Sequence, residues 1–234
     1  MADDHGTGER PERAFFGRRV GHPLRPRQRQ LFEALLPRLA LDLTRPPPGD
    51  LRALFPAPVE GVRLEIGFGA GEHLLAQVYS QPEVGFIGCE PFANGMASAL
   101  AALDARPAAN LRLHNGDAAA LLAWLPPGAI ERVDLLYPDP WPKRRHWKRR
   151  FVQAGRIEEL ARVLRPGGSF RFATDVPDYA AWTLALLLRS ERFSWTAERA
   201  DDWRRPPADH VPTRYEAKAA RAGRAPAYLT FRRL

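Results

Sequence analysis

Leu64-Glu65-Ile66-Gly67-Phe68-Gly69-Ala70-Gly71 closes a short apolar run and opens a stretch with helical spacing. A strand that ends in alternating glycines and passes straight into a helix is the start of a βαβ unit. Outward from it, apolar runs and helix-period segments alternate. The spacing predicts strands over 63–66, 85–89, 111–114, 133–137 and 169–173, and helices over 72–80, 93–103, 118–125, 152–164 and 179–190. Upstream, Leu31, Leu35, Leu36 and Leu39 give a helical pattern across 27–43, stopped by Pro46, Pro47 and Pro48. Two late strands, 193–197 and 227–231, have no helical pattern between them, so one antiparallel edge strand is expected. Residues 201–224 read as a long polar, irregular loop. The fold class expected is α/β, Rossmann-like: a mostly parallel seven-stranded sheet with an antiparallel edge strand and helices on both faces.

The 234 residues, 45% of them hydrophobic, suffice for one substantial core. We expect a flexible basic N-terminal arm over 1–26 and a single domain over 27–234. Lys plus Arg number 35 against 27 Asp plus Glu, a net charge of +8. Such an excess suits a polyanionic partner, although an Arg-rich composition bias produces it too. Cys89 is the one cysteine, which excludes an intrachain disulfide and a cysteine-built metal site; no metal site is expected. The opening MADDHGTGER has no apolar leader, and Tyr179–Leu188, the longest apolar stretch, is too short to cross a bilayer. A soluble, cytoplasmic protein with no membrane attachment is the expectation.

The glycine loop departs from the dinucleotide fingerprint. Counted from Gly67, the third glycine of G-x-G-x-x-G would stand at 72, which is Glu72; here it comes one residue early, at Gly71. Glu65 beside the turn would repel a pyrophosphate, whereas an ammonium or a sulfonium would be drawn to it. The loop therefore points away from NAD and towards S-adenosyl-L-methionine. Glu90 ends the second strand, 25 residues after Glu65, where a carboxylate accepts from ribose hydroxyls. Asn115-Gly116-Asp117 follows the third strand; Asp117 suits an adenine amino group, or is simply the N-cap of the next helix.

After the fourth strand comes Pro138-Asp139-Pro140-Trp141-Pro142-Lys143-Arg144-Arg145-His146-Trp147-Lys148-Arg149-Arg150. Three prolines in five residues hold Asp139 and Trp141 in place, with Asp139 facing the same cleft as the glycine loop. Six of the eight residues from Lys143 to Arg150 are cations, the others being His146 and Trp147. Arg145, His146, Trp147, Lys148, Arg149 and Arg150 are thus candidates for RNA binding: phosphate neutralisation with an aromatic platform.

These segments closely resemble the bacterial tRNA (guanine-N7-)-methyltransferase family, whose signature is similar to P-D-P-W-P-K-x-R-H-x-K-R-R. Leu64–Gly71, Cys89–Phe92, Asn115–Ala118, Ala173–Asp175 and Thr213–Glu216 also look like family segments, and the likeness runs from about residue 18 to the C-terminus. Two positions depart: Arg19-Val20-Gly21-His22 stands where R-x-G-R is usual, and Trp147 where His is commoner. The resemblance implies a class I methyltransferase fold and an enzyme that methylates N7 of a guanine in the tRNA variable loop, guanine 46. S-adenosyl-L-methionine would be held by Glu65, Gly67, Gly69, Gly71, Glu90, Asn115, Asp117 and Asp139. It makes Asp139 the catalytic position, and Lys143, Asp175, Thr213, Arg214, Tyr215 and Glu216 the substrate contacts. Glu216 is the candidate reader of the guanine N1–H and N2–H₂ edge. For Asp175 a helix N-cap is the alternative. The partner implied is tRNA, with no obligatory protein partner. Three other readings stay open on the residues: an NAD-dependent dehydrogenase, which wants a glycine at 72 and no acid at 65; an RNA-binding protein on a relic fold, which wants a damaged loop; and another guanine-containing RNA as acceptor.

Overall fold

The structure, a computed structural model, describes residues 16–17 and 19–234. Of the arm expected over 1–26, residues 1–15 and 18 lie outside the described residues. Those just after are fastened: Ala93 N donates to Arg19 O, and Gly21 N to Asn94 Oδ1, at 2.9 Å each.

Seven strands form one sheet in the order β3-β2-β1-β4-β5-β7-β6. They are β1 (Gly61–Ile66), β2 (Val84–Cys89), β3 (Leu111–His114), β4 (Ile130–Leu136), β5 (Leu164–Thr174), β6 (Phe193–Trp195) and β7 (Ala227–Arg233). The first five run parallel; β7 inserts antiparallel between β5 and β6. All six residues of β2 are buried, as a central parallel strand covered on both faces requires. One apolar cluster packs α5 (Ala118–Trp124), α6 (Ala154–Val163) and α7 (Pro177–Leu188) on the sheet. A second packs α1 (Pro26–Ala34), α3 (Glu72–Ser80) and α4 (Ala93–Ala105).

Two sequence expectations are corrected. The helix expected over 27–43 is two pieces, α1 and α2 (Leu36–Leu39), with Pro37 in the first turn of α2. Beyond it the chain turns extended, and Leu41 N donates to Leu113 O of β3 at 2.9 Å. The irregular segment 201–224 contains α8 (Asp201–Arg204) and α9 (Arg214–Arg221). α9 forms because Thr213 caps it, its Oγ1 accepting from Glu216 N at 3.2 Å.

The sheet order reverses at β1, whose neighbours are β2 on one side and β4 on the other. In open parallel sheets that switch point opens a crevice beyond the carboxyl ends of the strands. The loops after β1, β2 and β4 all meet there.

Candidate active site

Gly67, Gly69 and Gly71 have φ of +73°, +61° and +90°, the left-handed region that penalises any side chain. A Cβ at Gly67 would meet nothing within 4 Å, so the end of β1 opens onto free space. Glu90, 6% exposed, holds this turn: its Oε2 accepts from Gly69 N at 2.7 Å and its Oε1 from Phe92 N at 2.8 Å. Burial pushes the Glu90 carboxyl up against the pull of those two N–H groups, and the charge of Asp139 adds to the rise. Asn115 Nδ2 donates to Glu90 O at 2.7 Å, tying the end of β3 to the end of β2. Asp117 is the N-cap of α5, Oδ1 accepting from Ala119 N at 2.9 Å.

Glu65 sits one layer deeper. It is 5% exposed, and its Oε2 meets His73 Nδ1 of α3 at 2.7 Å. Burial alone would push the His73 imidazole down, but the adjoining carboxylate outweighs it and the histidine titrates above its ordinary range. Glu65 therefore ties the end of β1, just before the glycine turn, to α3.

Asp139 follows β4 on a rigid hook. Tyr137 and Trp141, on either side, have φ of +51° and +43°, uncommon for bulky side chains and found where surroundings over-determine the backbone. Tyr137 N still donates to Ala173 O at 2.8 Å, so the hook starts from the sheet itself. Asp139 is an exposed residue, yet the protein packed around its carboxyl partly desolvates it and pushes its pKa up.

The cationic block begins where the hook ends. Residues Arg144–Arg149 form a 3₁₀ turn. Lys143, Arg144, Arg145 and Lys148 are exposed, His146 and Arg149 half-buried. Arg149 lies over the Trp141 ring at 5.0 Å, and His146 meets that ring edge-on at 5.8 Å. Two expected RNA contacts are corrected. Arg150 is 2% exposed: Nε donates to Pro140 O at 3.0 Å, Nη2 pairs with Asp178, and the guanidinium lies 4.7, 4.9 and 5.3 Å from the rings of Trp147, Tyr179 and Trp182. It pins the hook to α7 and cannot reach a phosphate. Trp147, half-buried, packs on Trp182 at 5.4 Å and carries Arg150 on its ring, so it is no open platform for a base.

The segment Thr213–Glu216 arrives over the glycine turn. A Cβ on Gly69 would stand 3.4 Å from the Tyr215 ring and 3.7 Å from Arg214 Nη2. Arg214 Nε is 3.7 Å from Glu72 Oε1, and Tyr215 is 44% exposed beneath the Arg214 guanidinium. Glu216 accepts from Tyr228 Oη at 2.6 Å and meets His210 Nε2 at 2.6 Å. Asp175, after β5, is paired with Arg224 at 2.7 Å; α7 is capped without it, since its N-cap is Val176. The structure thus gathers Gly67–Gly71, Glu90, Asp139 and Arg214–Tyr215 around one crevice. His73, His210, Tyr228, Arg224 and Asp209 are site-building residues absent from the sequence reading, each lying in a stretch with no motif.

A glycine turn, an acid after the second strand, a rigid acid after the fourth and a terminal antiparallel pair define a class I methyltransferase domain. The family described as "Putative methyltransferase" matches residues 60–229. The fold is similar to the 16S rRNA methyltransferase KamB (TM-score 0.51, 16% identity, 75% of this chain and 89% of that one). It is also similar to TrmN from Thermus thermophilus (TM-score 0.52, 16% identity, 78% of this chain and 46% of that one). Over 99% of its length the chain is 59% identical to the tRNA (guanine-N(7)-)-methyltransferase of Rhodopseudomonas palustris strain BisB18, covering 92% of it. To that of Bradyrhizobium diazoefficiens it is 58% identical, over 95% of this chain and 94% of the relative. The chain belongs to the tRNA (guanine-N(7)-)-methyltransferase family.

Proposed function

We propose that this protein transfers the methyl group of S-adenosyl-L-methionine to N7 of a guanine in the variable loop of tRNA, guanine 46. The observation that carries this reading is the meeting of the glycine turn, Glu90 and Asp139 at one switch-point crevice, with an exposed cationic turn at its rim. The cofactor fits this crevice chemically. The open space beyond Gly67 is flanked by acids suited to hydroxyl and amino donors, and Arg214 beside Gly69 suits a carboxylate.

Bound there, S-adenosyl-L-methionine supplies an electrophilic methyl group on a sulfonium. Glu90 accepts from ribose hydroxyls with the lone pairs its two backbone contacts leave, and Asp117 accepts from the adenine amino group. Gly67, Gly69 and Asn115 shape the floor, while Glu65 stiffens it through His73. Guanine N7 carries its own lone pair, so no residue has to remove a proton. Asp139 orients the base and stabilises positive charge arriving on the purine ring. Placement of N7 supplies most of the remaining catalysis. Lys143, Arg145, Lys148 and Arg149 hold the tRNA backbone beside the crevice. Thr213–Glu216 and Asp175 hold the guanine, and the base leaves its stack to reach them.

The test is incubation of unmodified tRNA with radiolabelled cofactor, followed by borohydride–aniline cleavage. A single cleavage at position 46 is expected. Label at another nucleotide, or at guanine N1 or N2, overturns the assignment.

A further inference from the structure

Glu216 is held from two sides, by His210 and by Tyr228. Building on the proposed methylation of guanine, we propose that His210 and Tyr228 are positioning residues that fix the Glu216 carboxylate for the N1–H and N2–H₂ edge of the target base, and that Asp209 bolts the His210 loop to the sheet.

A carboxylate offers about four acceptor positions on two oxygens. Tyr228 Oη donates to Oε1 and His210 Nε2 meets Oε2, each at 2.6 Å. One acceptor position on each oxygen is left, which is what two parallel donors on a guanine edge demand. Anchoring both oxygens also removes rotation about the carboxylate axis, which one anchor would permit. Burial pushes the Glu216 carboxyl up, but the hydrogen bonds from Tyr228 and His210 outweigh it and hold the group ionised below its ordinary range.

The anchors are themselves rigid. Tyr228 is 5% exposed, on β7, paired in register with Ala173 of β5. The His210 side chain is 5% exposed, meets the Tyr228 ring edge-on at 5.2 Å and faces His73 at 5.9 Å. Its loop cannot drift, because Asp209 takes Arg132 Nη1 of β4 at 2.7 Å and Arg171 Nη1 of β5 at 2.8 Å. Asp209 O accepts from Gln77 Nε2 of α3 at 2.6 Å. Three elements of the core therefore converge on the residue next to His210. None of these groups touches the base, so their effect is on the geometry of the acid that does.

The experiment compares tRNA carrying guanosine with tRNA carrying inosine at the target position. Inosine keeps N7 and N1–H and lacks the 2-amino group. Single-turnover methylation rates are measured for the wild type, Tyr228→Phe, His210→Gln and His210→Ala. The wild type is expected to prefer guanosine about 10- to 100-fold, the loss of one hydrogen bond to a charged acceptor. Tyr228→Phe should keep its melting temperature within about 3 °C of the wild type, and both it and His210→Ala should lower that preference at least about threefold. His210→Gln, whose amide still donates, should retain more of it than His210→Ala. Variants that slow both substrates equally, with the preference unchanged, reduce the network to scaffolding and overturn the proposal. A wild type that methylates both tRNAs alike overturns it too, while leaving N7 methylation standing. No product even with guanosine tRNA removes the reaction itself, and the seat with it.

Discussion

Arg150→Ala is the sharpest probe of how the basic block is built. The side chain is fully enclosed between Trp147, Tyr179 and Trp182, so truncation leaves a cavity and not a solvated gap. Deleting a large buried side chain costs about 2–5 kcal/mol. Losing the charged donor to Pro140 O costs about 1.5–3 kcal/mol more. Against this, the folded state no longer buries a cation, which recovers several kcal/mol. Asp178, half in solvent, is left without large penalty. A net loss of about 3 kcal/mol follows, and for a chain of this size each kcal/mol lowers the melting temperature by about 2–4 °C. Calorimetry should show a drop of about 6–12 °C. The tRNA affinity should keep its slope against log salt concentration, because no phosphate contact is lost. Arg145→Ala should do the reverse: an unchanged melting temperature and a slope smaller by about 0.7–0.9. An Arg150→Ala protein that melts like the wild type yet loses one unit of salt slope would refute the pin and return Arg150 to the RNA interface.

Asp139→Asn keeps shape and removes charge, so turnover should fall by about 10²–10³-fold, with cofactor affinity by calorimetry changed less than about threefold. Burial raises the Asp139 pKa and the ionised form is the working one, so the rate should decline as pH falls through a value above the ordinary ~3.9; a single-turnover profile flat down to pH ~4 contradicts this. Gly67→Ala and Gly223→Ala carry the same left-handed strain, φ of +73° and +67° with free space around each, and each should cost about 1–2 kcal/mol. Only Gly67→Ala should weaken S-adenosyl-L-methionine, by at least about tenfold in a binding titration; equal affinity in the two variants would show that the space beyond Gly67 is not the cofactor's.

The parallel strands were legible because each carries its own period: the apolar run Val84–Cys89, buried throughout, needs no partner to be recognised. The glycine turn and Asp139 were legible for a similar reason, since backbone constraints are written locally. The basic block was not, because counting cations treats eight residues as one face. A 3₁₀ turn repeats every three residues, which aligns Arg144, Trp147 and Arg150 on one side. The guanidinium groups of Arg144 and Arg150 both lie over the Trp147 ring, at 5.8 and 4.7 Å. α9 was hidden differently: the cap signal Thr213-x-x-Glu216 is present, but Pro206, Pro207 and Pro212 just before it read as loop.

The least legible feature is what covers the carboxyl end of the sheet. Glu65, Asp134, Arg171 and Thr230 stand opposite one another in register across β1, β4, β5 and β7, a polar row on one face. Each strand alone reads as a short apolar run, and nothing in it marks its polar residue as one of a row. In the fold the half of that row on β1 and β4 is out of water: Glu65 and Asp134 are 5% and 3% exposed, and Arg132 beside them 5%. A helix with an apolar stripe would leave such a row without partners. α3 supplies some of them, His73 to Glu65 and Gln77 to Arg132, and the loop ending in α9 supplies the rest, through Asp209 to Arg132 and Arg171. The two strand arginines therefore fasten a polar loop over this face. That loop, fastened by them, brings Arg214, Tyr215 and Glu216 to the crevice, so the substrate side of the site is placed by strand residues that no local motif marks.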